Sequence, residues 1–179
     1  GAMPKFYYIM SQAYFNMGKI GSGSQSSITW TDQAGMWDVI AAFGKNVMDN
    51  VSFDGIISTG VMLQNLRTSP LDNDMNLTRD GYHMDNGISR YGAACTVFET
   101  LITPKFNVTL DGNSYRYAVE NTSTSAYSTP VTDANAPVAL QAARYAIANP
   151  YVVTDMSDVK EDLPGNSIGD VDFEEGSKE

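Results

Sequence analysis

Only two runs in this 179-residue sequence read as buried strands: Phe6-Tyr7-Tyr8-Ile9-Met10 and Phe53-Asp54-Gly55-Ile56-Ile57-Ser58. Short apolar runs bounded by polar residues fit strands covered on both faces. Between them Met36, Trp37, Ile40, Phe43 and Val47 recur at helical spacing, which predicts a helix over 33–49 with Thr31 or Asp32 as N-cap. Strand–helix–strand order points to parallel α/β packing. Two strands make a poor parallel sheet, because such sheets have several strands and helices on both faces. Residues 4–104 therefore read as the end of an α/β domain rather than a whole one.

After the second strand, Gly60 opens what reads as a long loop, through Gln64, Asn65 and Arg67 to Asp80. Ile88, Tyr91, Cys95, Phe98 and Ile102 keep the 3.6-residue period, so a second helix is expected over about 85–102, with Pro104 as its stop. Residues 105–154 read as a small appendage. A hairpin is expected within 107–120 around the turn signal Asp111-Gly112, and a third helix over 135–148. Asp133 is that helix's expected cap, Pro137 lies in its first turn and Pro150 just beyond its end. Gly1-Ala2-Met3 reads as a cloning remnant and is left out of the fold reasoning.

The formal charge is −10, and residues 155–179 carry −7 of it, from nine acids and two lysines. With Pro164, three glycines and few large apolar residues, that segment reads as a disordered acidic tail. An acidic chain lacks the basic face that nucleic-acid binding requires. No apolar stretch approaches the roughly 18 residues of a spanning helix, and no signal peptide follows Met3. One cysteine excludes an intrachain disulfide, and one histidine excludes a multi-histidine metal site within the chain. No cofactor is implied. Asp72-Asn73-Asp74-Met75-Asn76 starts like a calcium loop, but Leu77 replaces the needed glycine and His83 stands where the bidentate glutamate belongs. Cys95 and the aromatic residues Trp37, Phe43, Tyr91 and Phe98 lie on helical apolar stripes and read as core. Asn76, Asn107 and Asn121 begin glycosylation sequons, which matter only in a glycosylating pathway.

The residues that can carry chemistry converge on Arg79-Asp80-Gly81-Tyr82-His83. This segment follows a buried strand and a connection and directly precedes a helix. Ligands and catalytic groups in α/β folds gather at the carboxyl ends of the strands. An acid three residues before a histidine can orient the imidazole and stabilise its charged form. A surface turn with Asp80 as a local cap is the plainer reading of the same residues. Gln64, Asn65 and Arg67 would line the same end of the sheet as candidate substrate-binding groups, and Arg67 can hold a carboxylate. Ordinary loop solvation accounts for them equally well.

Asp80-Gly81-Tyr82-His83, followed by Asn86-Gly87, Arg90-Tyr91 and Ala93-Ala94-Cys95, resembles the closing block of SGNH (GDSL-type) hydrolases, closest to a DUF4886-like subgroup. Phe6 to Tyr14 resembles that subgroup's late core strand. Ile57 to Gly60 and Gln64 to Arg67 resemble its last strand and following loop, and Ala142-Ala143 through Asn149 to Thr154 its carboxyl-terminal helix and end. The resemblance covers about residues 4–155. It implies the carboxyl-terminal part of a three-layer α/β/α sandwich, with His83 as general base and Asp80 as its orienter. The implied activity is that of a serine esterase or acetylesterase, on ester or acetylated carbohydrate, in a secreted or periplasmic bacterial protein.

The family's nucleophilic serine and its oxyanion donors belong to earlier blocks that this sequence does not contain. Ser11, Ser22, Ser24, Ser26, Ser27 and Ser58 lie in no GDS-like context. A base and orienter without a nucleophile cannot run an acyl-enzyme cycle. The chain is therefore expected to be inactive alone, whether as half of a split hydrolase or as a piece of an intact one. Its expected partner is a second polypeptide carrying the other half, or a second copy of itself, since a truncated sheet leaves an open edge. The competing expectation is a non-catalytic structural or interaction protein built on a remnant of that fold.

Overall fold

The structure is a computed structural model that describes residues 3–15, 32–119 and 128–159. The fold is mixed α/β. Strand β1 (Tyr7–Ile9) leads through helix α1 (Gln33–Asn50) to strand β2 (Gly55–Ile57), followed by helices α2 (Thr59–Thr68), α3 (Ile88–Leu101), α4 (Thr103–Phe106) and α5 (Ala136–Ala148). The strands pair in parallel, Tyr7 opposite Gly55 and Ile9 opposite Ile57. Parallel neighbours need a crossover, and α1 supplies it. Asp32 caps α1 by accepting from the Gly35 amide at 2.7 Å. Met10 packs against Gly44, and Trp37 reaches the start of α2 at Gly60, which closes α1 onto the strands.

The strands are shorter and more open than their apolar runs suggest. Within the strands themselves only Ile57 is buried, with Met10 buried just beyond β1, whereas Phe6 is 62% and Ile9 60% exposed. Phe43, expected in the core, is 60% exposed on α1, while Trp37 is buried. Among the described residues no further strand covers or extends the pair.

The core sits among α2, α3 and α5, and here two expectations are corrected. The segment read as a loop from Gly60 begins with helix α2, in which every residue from Thr59 to Leu66 is buried. Gly60, Gln64, Asn65 and Arg67 made the segment look solvated, yet Asn65 and Arg67 find hydrogen-bond partners beyond the helix. Helix α5, placed in an appendage, packs on both α2 and α3 and contributes Val138, Ala139, Leu140, Ala142, Ala143 and Ala146 to the core. Its alanines allow the close approach that lets Asn65 reach the Ala142 carbonyl.

Smaller departures have local causes. The hairpin expected in 107–120 is a turn without paired strands among residues 107–119. Asn113 N donates to Leu110 O at 3.0 Å, and Asp111 is drawn to Arg144 at 2.9 Å. Pro104 does not stop the helical run but sits in the first turn of α4, where its missing N–H costs nothing. Asn135, not Asp133, precedes α5, and Asp133 pairs with Arg116 at 2.9 Å. Met156, inside the expected tail, is fully buried, and its amide donates to Thr68 Oγ1 at 2.7 Å. The Ser/Gly-rich loop, the stretch from Asn121 to Tyr127 and the tail beyond Val159 lie outside the described residues.

Candidate functional site

Asp80 and His83 form a contact pair on a closed turn between α2 and α3. The turn is clamped at its base. Asp85 N donates to Leu77 O, Arg79 N donates to His83 O, both at 3.0 Å, and Thr78 and Met84 form an isolated antiparallel bridge. Gly81 carries the reversal at φ +89°, a conformation that strains side chains with a Cβ. Within the turn the Asp80 carboxylate gathers three contacts from Tyr82 and His83. Its Oδ1 accepts from the His83 amide at 2.8 Å and the Tyr82 amide at 3.0 Å, and its Oδ2 lies 2.7 Å from His83 Nδ1. Arg79 Nε stands 3.5 Å from the same Oδ2.

Partial desolvation of Asp80 opposes its charge, but the His83 amide and imidazole and the Tyr82 amide outweigh it and hold the carboxyl down at about 2. An ionised Asp80 bound to Nδ1 favours the tautomer with the proton on Nδ1, which leaves Nε2 as the basic nitrogen. The His83 side chain is 63% exposed, so that nitrogen belongs to an accessible ring.

The turn docks on the carboxyl-terminal side of β1. Phe15 N donates to Gly81 O at 2.9 Å, and Gln12 Nε2 donates to Tyr82 O at 3.0 Å. Tyr14 packs edge-on against Tyr82, with ring centres 5.1 Å apart. The pair therefore lies beyond the end of a strand in the chain direction, the location at which α/β folds carry their sites.

Asp85 anchors this turn to the helical core, and the sequence reading passed over it. Its side chain is wholly buried and accepts from the amides of Gly87 at 2.8 Å, Ser89 at 3.2 Å and Thr129 at 3.4 Å. Burial pushes its carboxyl up, against the pull of those three amides. At Gly87 a Cβ would lie 1.8 Å from the Thr129 carbonyl oxygen, so only glycine lets the 128–131 segment approach the start of α3. The sequence held a signal for Asp85, since Asp-Asn-Gly before a helical run marks a helix start.

Gln64, Asn65 and Arg67 are not brought together with His83 by any hydrogen bond. They sit on α2 and serve as ties. Asn65 Nδ2 donates to Ala142 O at 3.1 Å and its Oδ1 accepts from Thr154 N at 2.7 Å, which joins α2, α5 and the chain beyond. Arg67 donates to Gln64 Oε1 at 2.5 Å and to Asn76 O at 2.9 Å. Its Nη2 is buried without a hydrogen-bond partner among the described residues. Burial lowers Arg67 to about 10, with Asp72 opposing the shift. The calcium-like stretch is occupied by its own turn, in which Asn73 Oδ1 accepts from the amides of Met75 and Leu77. Among the described residues no cluster of acids, His and Cys is arranged to hold a metal ion. No described helix is long and apolar enough to cross a membrane. Cys95 is 2% exposed, and burial pushes its thiol up to about 11.

The sequence matches the family described as domain of unknown function DUF4886 over residues 4–134. The chain belongs to this family. The DUF4886 match includes both strands, the Asp80–His83 turn, α3 and the Thr129 segment. The fold is similar to the crystal structure of a DUF4886 family protein from Bacteroides uniformis, with a TM-score of 0.67 and 28% sequence identity. The similarity covers 89% of this chain and 54% of that one, so this chain spans about half the length of that relative. No curated protein matches the sequence.

Proposed function

We propose that this DUF4886 chain is the carboxyl-terminal part of an SGNH-type ester hydrolase and supplies its base, His83, and its orienter, Asp80. The observation that carries the reading is the 2.7 Å contact between Asp80 Oδ2 and His83 Nδ1 on a clamped turn beyond the end of β1. In this mechanism Asp80 fixes the imidazole with its proton on Nδ1. Nε2 takes the proton of a serine hydroxyl as that oxygen attacks an ester carbonyl, and later returns it to the departing alcohol. Ionised Asp80 stabilises the imidazolium formed between those steps.

The serine comes from polypeptide outside this chain. Among the described residues no serine hydrogen-bonds His83, Ser58 is buried at the start of α2, and Ser128 Oγ accepts from Asn86 N. The sheet supports such a partner, since among the described residues a two-stranded parallel pair with exposed Phe6 and Ile9 leaves edge and face open to a complementary half or to a second copy. In this reading the complete protein has the three-layer sandwich of that hydrolase class and acts on an ester, such as an acetylated carbohydrate. That no serine among the described residues hydrogen-bonds His83 is compatible with a second reading for the isolated chain, a non-catalytic interaction or structural role.

Hydrolysis of p-nitrophenyl acetate separates the two readings. The chain alone is expected to be inactive, and the chain combined with a GDS-bearing amino-terminal half active. His83→Ala removes that activity, and Asp80→Asn lowers it by about 10³–10⁴-fold, the scale of losing the orienter in a serine triad. A reconstituted protein that never hydrolyses the ester, or whose turnover survives His83→Ala, overturns the hydrolase reading.

A further inference from the structure

A cavity of about 390 Å³ opens on the face of α3, between that helix and the irregular segment 110–117. Neither Asp80 nor His83 lines it. Its walls are aromatic, from Tyr91 and Phe98 on α3 and Tyr115 and Tyr117 on the facing segment. Its volume and apolar lining are those of a small-molecule site rather than a packing defect. The polar groups on its wall are few. Asn113 is committed, since its Nδ2 reaches Tyr91 Oη at 3.4 Å and its Oδ1 accepts from Tyr115 N at 3.1 Å. Arg90 is not.

The other described arginines are all engaged. Arg67 is hydrogen-bonded within and beside α2, while Arg79, Arg116 and Arg144 pair with Asp80, Asp133 and the Glu99–Asp111 pair. Among the described residues Arg90 has neither a hydrogen bond nor an ion pair, although the chain carries an excess of acid. A guanidinium at the edge of an aromatic cavity selects a ligand with one planar anionic group and an apolar body. A second charge on the ligand would have to be desolvated against apolar walls without a partner.

We propose that this cavity binds a small aryl carboxylate, its ring system between Tyr91, Phe98 and the tyrosines of 115–117 and its carboxylate on Arg90. The site is distinct from the Asp80–His83 turn and stands whether or not that turn is catalytic.

The test titrates the purified chain with 2-naphthoate, with 2-naphthamide as the uncharged body and acetate as the charge without a body, followed by calorimetry. Saturable one-to-one binding of 2-naphthoate is expected, weaker binding of the amide, and none of acetate. Arg90→Gln lowers 2-naphthoate affinity by about tenfold, the scale of one charge-assisted contact, and leaves the amide unchanged. Ala94 lines the cavity from a solvent-exposed position of α3, so Ala94→Trp fills it without disturbing the core and abolishes both interactions. Tyr115, 69% exposed in an irregular segment, gives a second variant, Tyr115→Ala, which weakens both ligands if the indole is not tolerated. Equal affinity for naphthoate and naphthamide, binding that survives both cavity variants, or no saturable binding up to millimolar naphthoate overturns the proposal.

Discussion

Two polar groups of residues stand within 25 positions of each other and meet opposite fates. Gln64, Asn65 and Arg67 lie on α2 and spend their hydrogen bonds inside the fold. Asp80 and His83 lie on the next turn and spend theirs on each other and on the turn's own residues, leaving an accessible imidazole. The difference is one of supply. On α2 Asn65 meets a carbonyl of α5 and an amide of the segment that follows it, and Arg67 meets the Asn76 carbonyl, so the side chains take the place of absent backbone partners. In the turn the backbone bonds clamp the base, and the His83 ring is left exposed to solvent.

Substitutions can break this contrast, and the largest effect is expected at Asn65. Asn65→Ala strands a buried carbonyl at Ala142 and the amide of Thr154, and leaves a small void, so urea unfolding should report a loss of about 3–4 kcal/mol. A loss under 1 kcal/mol would mean that the side chain is not a structural tie. Asp85→Ala is next, at about 2 kcal/mol in the same measurement, because three amides lose their acceptor while the cost of burying a carboxylate is recovered. If Asp85 holds the Asp80–His83 turn in place, the ¹⁵N shifts of the chain's single imidazole change in this variant. Unchanged shifts would separate the anchor from the site.

The third prediction sets two aspartates of one segment against each other through pH. Asp80 has a folded pKa lowered to about 2. Its contribution to stability is therefore present above the ordinary carboxylate range and lost as pH falls toward 2. Asp85 is shifted upward by burial, so its contribution is greatest at low pH and is lost as pH rises through its folded value. The stability gap between the wild type and Asp80→Asn should narrow steadily between pH 5 and pH 2. Solvent screening at this exposed turn keeps the gap small, and a gap independent of pH would contradict the ionised pair. The smallest effect belongs to His83→Ala. An exposed imidazole with one side-chain contact is worth within about 0.5 kcal/mol to the fold. A larger loss in thermal unfolding would make His83 a structural residue.

The parts of the fold visible in the sequence were those with strong periodicity or marked ends. Helices α1 and α3 follow the spacing of Trp37, Ile40 and Val47 and of Ile88, Tyr91 and Cys95, and α5 was bounded by Pro137 in its first turn and Pro150 beyond its end. The strands were located correctly, but their burial was not, because an apolar run does not state what covers it. Helix α2 was missed for a related reason. Glycine, glutamine, asparagine and arginine read as solvated until α5 offers Asn65 the carbonyl of Ala142, 77 positions away. In the candidate site the Asp-x-x-His spacing led directly to the contact pair, whereas Asp85 was hidden because its partners, Gly87, Ser89 and Thr129, are brought together only by the docking of the 128–131 segment.

By itself the sequence determined the local matters: that α1, α3 and α5 are helices, where a parallel βαβ unit begins and ends, and that the one histidine has an aspartate three residues before it. Those depend on side chains a few positions apart, whose geometry the backbone period sets. Tertiary structure alone decided that α2 is core rather than loop, that α5 belongs to the same body, and that Asn65 is a buried tie rather than a loop residue. Each of those outcomes turns on whether a polar atom meets a partner or water, and that is settled by residues distant in the chain.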